Sequence, residues 1–198
     1  MNYLGHSFFS KSDPMLLTGN IIADMVKGKL KKDIPAEIAA GMKLHLLIDH
    51  FTDTHAATRQ MCDELTPFFK RYAPVMVDIF LDFHLGSEWE RVSIISFPQH
   101  EDWVYESLKS QSAFLPEKIS FRLKSMISHR WLNLYRDKEN LPEVTRRLSL
   151  RSSQPGDFSG ALEIYNSTED KFKPLFYTFF NDMRRYIDSI YIDQKPLG

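Results

Sequence analysis

The sequence has a single cysteine, Cys62, among 198 residues. One cysteine excludes an internal disulfide framework and a zinc site built from several thiolates, and it suits a reducing compartment. Excess charge is also absent: the net charge is −1, so no global basic field favours nucleic acid as a partner.

The longest apolar run, residues 74–85, is too short to span a bilayer and contains two aspartates. The N-terminal residues do not have the pattern of a secretory signal. We therefore expect a cytoplasmic protein that binds neither membrane nor nucleic acid.

Convincing strand-like alternation of apolar and polar residues is missing too, and the pattern is helical almost throughout. A length of 198 residues fits one domain, so we predict a single all-α helical bundle over residues 1–198. Capping residues, prolines and glycines predict the helix boundaries. The predicted segments are a helix from Pro14 to about Gly28, one from about Asp33 to Asp53, a short one over 54–64, one over 75–89, helices starting near Pro98, Pro116 and Pro142, a loop over 151–157, and two C-terminal helices over 158–170 and 174–190.

Ionisable side chains recur on the apolar parts of these helices. His45 and Asp49 are four residues apart, so they share a helical face flanked by apolar residues. Asp78 and Asp82 have the same spacing on a helix that is apolar nearly all round, which predicts that both point inward. Burying such groups without partners costs several kcal/mol, so each needs a partner.

A divalent metal is one partner that would satisfy these groups. Two buried carboxylates on one face repel each other unless a cation lies between them or one is protonated. Asp24 and His6 lie on other apolar segments and extend the set of candidate ligands. Oxygen and imidazole ligands without thiolates suit Mn, Mg, Fe or Zn.

Ordinary structural roles are open to each of these residues taken singly. A lone histidine on an apolar face is more often a hydrogen-bonded core residue than a ligand. An aspartate near a helix end is usually a cap, which would describe Asp53. His50 and His55 lie off the face of His45 and are expected to be surface, capping or supporting groups. The remaining isolated histidines, His100 and His129, are expected to have no special role.

The order of motifs along the chain resembles the acyl carrier protein phosphodiesterases, also called acyl carrier protein hydrolases. The resemblance covers nearly the whole chain and is most specific over residues 1–90. The segments that carry it are MNYLGH at the start, GNIIADMVKG (19–28), GMKLHLLIDHFTDTH (41–55), VDIFLDFHLGSEW (77–89), SMISHRWLNLYRD (125–137) and RRLSLRS (146–152).

This resemblance implies a fold, an activity and a cofactor. The fold would be all-α and similar to the HD-domain metal phosphohydrolases. The activity would be hydrolysis of the phosphodiester that joins 4′-phosphopantetheine to holo-acyl carrier protein, with a divalent metal, typically Mn²⁺, although Mg²⁺ or Fe²⁺ would also serve. We expect His45, Asp49, Asp82 and Asp24 to be metal ligands. The same resemblance gives His6, Asp24 and Asp78 catalytic roles, with His6 and Asp24 as ligands or supporting groups and Asp78 orienting Asp82 or a histidine.

Three positions depart from the family pattern. Ser7-Phe8 replaces the end of a His-x-His motif, Leu46 replaces an arginine, and Phe83-His84 inverts a His-Phe pair. The missing arginine removes a cation that would bind phosphate bidentately. These departures leave two alternatives open: a metal phosphohydrolase for another phosphate ester, or a non-catalytic relative that binds a carrier protein.

A basic cluster follows the Asp24 motif and suits an acidic protein substrate. The resemblance implies holo-acyl carrier protein as that substrate, a small and strongly acidic protein. Lys27, Lys29, Lys31 and Lys32 would steer such a partner by charge. Each of these lysines taken singly would equally fit a solvated loop.

Overall fold

Ten α-helices, joined by short 3-10 helices and loops, form the part of the chain that this computed structural model describes, residues 1–150 and 156–193 without the side chains of 29–31 and 192–193. No strand occurs among these residues, so the all-α prediction is confirmed. The helices are α1 Tyr3–Phe8, α2 Pro14–Ile22, α3 Ala36–Thr54, α4 Ala56–Phe69, α5 Ala73–Ser87, α6 Trp89–Val92, α7 Phe97–Gln111, α8 Glu117–Ser128, α9 Leu141–Ser149 and α10 Ala161–Asp193.

Most predicted helix starts are confirmed, and side-chain caps mark the starts of α2 and α7. Asp13 caps α2 by accepting hydrogen bonds from the backbone N–H groups of Met15 and Leu16, and Pro14 opens the helix. Ser96 and Gln99 form a capping box at the start of α7. Helices α8 and α9 also begin within one residue of the predicted prolines. Most of the predicted loop over 151–157 lies outside the described residues.

Two predicted proline breaks are wrong. Helix α4 continues past the predicted end at residue 64, through Pro67, to Phe69, and α10 is one helix through Pro174, where two helices were predicted. A proline inside a helix removes a hydrogen bond and costs about 3 kcal/mol. In α10 the residues on both sides of Pro174 are buried, among them Phe172, Phe176 and Phe180. Packing of these rings holds the helix together against the local cost.

Helix α5 lies at the centre of one continuous hydrophobic core. Its Phe80 meets Tyr165 of α10 edge to face, with ring centroids 4.9 Å apart. Phe180 of α10 also contacts Phe8, with the ring centroids 5.1 Å apart, and so ties the last helix to the first. None of the described helices is both long and apolar enough to cross a membrane.

Helices α2 and α3 touch backbone to backbone. A Cβ atom added at Gly19 would lie 1.9 Å from the carbonyl oxygen of Ile38, and one at Gly41 would lie 2.1 Å from that of Leu16. Only glycine permits this approach. The crossing brings the end of α2 against the middle of α3, where His45 lies.

Candidate metal centre

His6, His45 and Asp49 converge at one point of the molecule. Each offers one ligand atom, and these atoms lie within 4.8 Å of one another. Nε2 of His6 is 3.2 Å from Oδ1 of Asp49, and Nε2 of His45 is 3.0 Å from Oδ2 of the same side chain. The two imidazole rings stack, with centroids 4.1 Å apart. Helix α1 thus supplies one candidate ligand and α3 supplies two, at the predicted spacing of four residues.

Asn20 of α2 orients both histidines, and the sequence analysis did not single it out. Its side-chain oxygen is 2.7 Å from Nδ1 of His6, and its backbone oxygen is 2.8 Å from Nδ1 of His45. The Asn20 amide nitrogen donates to the His6 carbonyl and to Ser10, so the side-chain oxygen is the acceptor. Each Nδ1 therefore donates its proton to Asn20, and each Nε2 is the nitrogen that faces Asp49.

Asp24 stands beside this group in a 3-10 turn, Ala23–Met25. Helix α2 ends at Ile22, earlier than the predicted Gly28, and the turn brings Oδ1 of Asp24 to 3.4 Å from Nε2 of His45. The Asp24 side chain is 81% exposed, whereas His6 and His45 are buried. Asp24 therefore forms the open side of the group.

The charges of the group are coupled. Burial opposes the protonated form of His45, but its interactions with Asp24 and Asp49 outweigh burial and raise its pKa to about 9. Burial also opposes the charged form of Asp49, yet the two histidines hold its pKa well below the ordinary range. The pKa of Asp24 is lowered, chiefly by its interaction with His45. For His6, burial dominates and lowers the pKa.

The donor set fits a divalent cation. Both Nε2 atoms are buried and make no hydrogen bond within the described part of the chain, although carboxylate oxygens lie close by. Buried polar atoms rarely lack a partner, so each such atom needs a physical reason. Two imidazole nitrogens that face the same carboxylate need a proton or a metal ion between them. Because the pKa of His45 is raised, a bound metal would displace the proton of its Nε2. Neutral imidazole with a carboxylate suits Mn, Fe or Zn.

Asp82 is not in this group. It is fully buried, as predicted, but its oxygens accept backbone hydrogen bonds from Asn2, Leu4 and Gly5 at 2.7–3.1 Å. These donors are the free N–H groups at the start of α1, so Asp82 anchors the helix that carries His6. We therefore revise its predicted role as a metal ligand to that of a positioning residue.

Asp78 has a different partner from the one predicted. Oδ1 accepts a hydrogen bond from the Met1 ammonium at 2.8 Å, and its side chain is 31% exposed, not fully inward. Burial opposes the charge of that ammonium, but Asp78, Asp82 and Asp49 outweigh it and raise its pKa. The Met1 ammonium thus places a positive charge beside Asp78.

The three departures from the family pattern lie outside the group. Ser7 donates to the Leu4 carbonyl and contacts His100, while Phe8 packs in the aromatic core. Leu46 is 66% exposed. His84, next to Phe83, is buried between Tyr165 and Phe176 of α10.

The remaining candidates of the third motif have supporting or surface positions. His55 caps α4 by accepting from the Ala57 N–H group, and its Nε2 is 3.1 Å from Asp182. Asp53 is not a cap, because α3 continues past it to Thr54. His50 is exposed.

Fold and site together define a class of protein: an all-helical protein with a histidine–aspartate group suited to a divalent metal. The family model for acyl carrier protein phosphodiesterase matches residues 1–183. The chain belongs to the acyl carrier protein phosphodiesterase family.

Relatives of the same name span most of this chain. The acyl carrier protein phosphodiesterase of Photorhabdus laumondii is 26% identical over 181 residues, which cover 91% of each chain. That of Pectobacterium atrosepticum is 26% identical over 92% of this chain and 95% of its own. One from Escherichia coli O6:K15:H31 is 28% identical over 76% of this chain and 79% of its own. No solved structure matches this chain.

Proposed function

We propose that this protein hydrolyses the phosphodiester between 4′-phosphopantetheine and the serine of holo-acyl carrier protein. The reaction would use a divalent cation bound at the His6, His45 and Asp49 group, and Mn²⁺ is the first candidate. The observation that carries the proposal is the pair of buried Nε2 atoms facing one carboxylate. Family membership and the names of the relatives supply the substrate.

His6, His45 and Asp49 would hold the ion, and Asp24 would complete the set from the open side. A bound divalent ion neutralises phosphoryl oxygens and lowers the pKa of a bound water. Asn20 keeps each Nε2 free to bind, because it accepts the proton of each Nδ1. Asp24, with its lowered pKa, is ionised at neutral pH and can accept a proton at a carboxylate oxygen.

Exposed cations near the group suit an acidic protein substrate. Lys27 and Lys32 of the predicted basic cluster are exposed, while the side chains of residues 29–31 lie outside the described part of the chain. Lys118 and Arg122 of α8 are also exposed and are four residues apart, and neither forms an ion pair within the described residues. Like charges at this spacing destabilise a helix slightly, so a bound acidic partner would relieve them.

We also propose kinship with the HD-domain phosphohydrolases, a single domain over residues 1–198 and a cytoplasmic location. Two histidines and two aspartates from neighbouring helices support the kinship. One continuous core supports the single domain. The single cysteine supports the reducing compartment.

The deciding experiment is incubation of holo-acyl carrier protein with the purified protein and Mn²⁺, followed by intact mass. We expect the carrier protein to lose the phosphopantetheine mass. The matched variant Asp49→Asn, shown to be folded by circular dichroism, should leave the mass unchanged and bind Mn²⁺ at least tenfold more weakly. An unchanged mass with the metal-loaded parent would overturn the proposed substrate. Absence of Mn²⁺, Fe²⁺, Mg²⁺ or Zn²⁺ binding by the parent would overturn the metal centre.

A further inference from the structure

A cleft of about 600 Å³ opens beside the candidate metal centre. Its walls come from the start of α1, from α5, α8 and α9, and from the 3-10 helix Trp131–Arg136. Asp24 and Asp78 belong to its lining, whereas His6, His45 and Asp49 do not. The cleft and the metal group thus share an edge at Asp24.

The lining of the cleft combines apolar and charged side chains. Val75, Ile79, Trp131, Leu134, Val144 and Leu148 supply the apolar surface. The charged side chains are Asp24, Lys27, Asp78, Lys118, Arg122 and Arg147. A volume of this size is typical of sites for small organic ligands, which measure roughly 300–1,000 Å³.

Arg147 lines this cleft and has one hydrogen-bond donor without a partner. Its guanidinium lies over the Trp131 ring, 5.2 Å from the ring centroid, and its Nε donates to Glu143 at 2.7 Å. Its Nη1 is buried and makes no hydrogen bond with any described residue. A buried donor without a partner is costly, so a ligand carbonyl at this point would be stabilised.

We propose that this cleft binds the pantetheine arm of the substrate, with Arg147 donating to an amide carbonyl of the arm. This inference rests on the proposed function. The scissile phosphodiester has two substituents, and one is a folded protein that must remain outside. The other is a narrow, uncharged chain with a gem-dimethyl group, a hydroxyl, two amides and a terminal thiol. The apolar walls match its methyl and methylene groups, and the Arg147 donor matches its amides.

The position of Asp24 supports this orientation. A phosphate held at the metal group and the open face of Asp24 would lie at the mouth of the cleft, so the arm enters while the carrier protein stays at the rim. Lys118 and Arg122 line the cleft and are exposed, so an acidic protein surface docked over the cleft would meet them.

The direct test uses S-methyl pantetheine, whose blocked thiol cannot bind a metal and which carries no phosphate. We expect it to change the intrinsic fluorescence of the parent and to lose this effect in Trp131→Phe. Leu148→Trp should fill the cleft and weaken binding at least tenfold. Phe121→Trp adds the same group on the exposed face of α8 outside the cleft and should bind as the parent does.

Arg147→Met provides a second variant in case Leu148→Trp does not fold. It keeps most of the side-chain stem but lacks the donor, and we expect binding about tenfold weaker. Binding that is equal in the parent, Leu148→Trp and Arg147→Met, or no binding at all, would overturn the cleft as the site.

Displacement of the bound probe distinguishes the two molecules that could supply the pantetheine arm, the carrier protein and coenzyme A. Coenzyme A carries the same arm, and we expect holo-acyl carrier protein to displace S-methyl pantetheine at lower concentration than coenzyme A does. Displacement by coenzyme A but not by the carrier protein would refute the assignment to the carrier protein. These measurements need no turnover. If the parent binds the probe but leaves the carrier-protein mass unchanged, the proposed function is contradicted while the pantetheine-binding cleft is supported.

Discussion

Asn20 shows how one side chain can set the chemistry of two others. It accepts the Nδ1 proton of His6 through its side chain and that of His45 through its backbone. Its own amide is fixed by donation to the His6 carbonyl and to Ser10. The protonation states of both candidate ligands therefore depend on a residue that would not contact the metal.

The first prediction is made on this residue. Asn20→Ala removes the acceptor of His6, whose ring is then free to rotate or to change tautomer, so Mn²⁺ affinity should fall about 10–100-fold. Isothermal titration with Mn²⁺ measures the change, and the rise in melting temperature on adding Mn²⁺ should shrink with it. Thr18→Ala is the matched control, because Thr18 is buried on the same helix but bonds only to the Pro14 carbonyl. Equal affinities for parent and Asn20→Ala would show that Asn20 does not position the ligand.

Some residues of the candidate site could be predicted from the sequence and others could not. The spacing of His45 and Asp49 placed both on one face of α3. Asp82 has the same type of pattern, but its partners are backbone N–H groups of residues 2–5, and backbone groups leave no trace in the sequence. The role of Asn20 could not be predicted for a related reason, because it orients one of the two histidines through its backbone oxygen.

At the scale of elements, the crossing of α2 and α3 determines the distance between Asn20 and His45. Gly19 and Gly41 permit a contact of two backbones, and the 2.8 Å hydrogen bond from His45 to the Asn20 carbonyl depends on it. Helix boundaries were predicted well where a cap or proline acts locally. The predictions failed at Pro67 and Pro174. Side chains of those two helices are buried against segments that are far away in the sequence, and this packing stabilises the helices.

The second prediction tests this crossing. Gly41→Ala places a methyl group within 2.1 Å of the Leu16 carbonyl, so the helices must separate, and the free energy of unfolding should fall by about 3 kcal/mol. Mn²⁺ affinity should fall as well, because His45 moves away from Asn20. Urea unfolding and Mn²⁺ titration measure the two effects. Gly160→Ala is the control, since a Cβ atom there meets nothing within 4 Å; a parent-like Gly41→Ala would disprove the close crossing.

At the scale of the whole molecule, one buried histidine outside the site makes stability depend on pH. His84 lies in the core between α5 and α10, and burial lowers its pKa to about 4, below the value of 6.5 that it has when unfolded. As the pH falls below 6.5, the unfolded chain takes up a proton that the folded chain cannot accept. Stability is therefore lost between pH 6.5 and pH 4.

The third prediction follows from this loss of stability at low pH. His84→Phe keeps a ring against Tyr165 and Phe176 but cannot bind a proton. The free energy of unfolding of the variant minus that of the parent should be about 2 kcal/mol higher at pH 5 than at pH 7.5. Urea unfolding at the two pH values measures the difference, with His50→Asn on the exposed face of α3 as the control. A difference that does not change with pH would contradict the role of His84.

The contact between Phe8 and Phe180 has a consequence for the order of events during synthesis. The candidate ligands His6, Asp24, His45 and Asp49 all leave the ribosome within the first quarter of the chain. The ring that fixes the helix of His6 arrives with α10, near the end. A nascent chain thus holds every ligand well before it has the geometry to use them, and we expect metal loading to wait for the last helix.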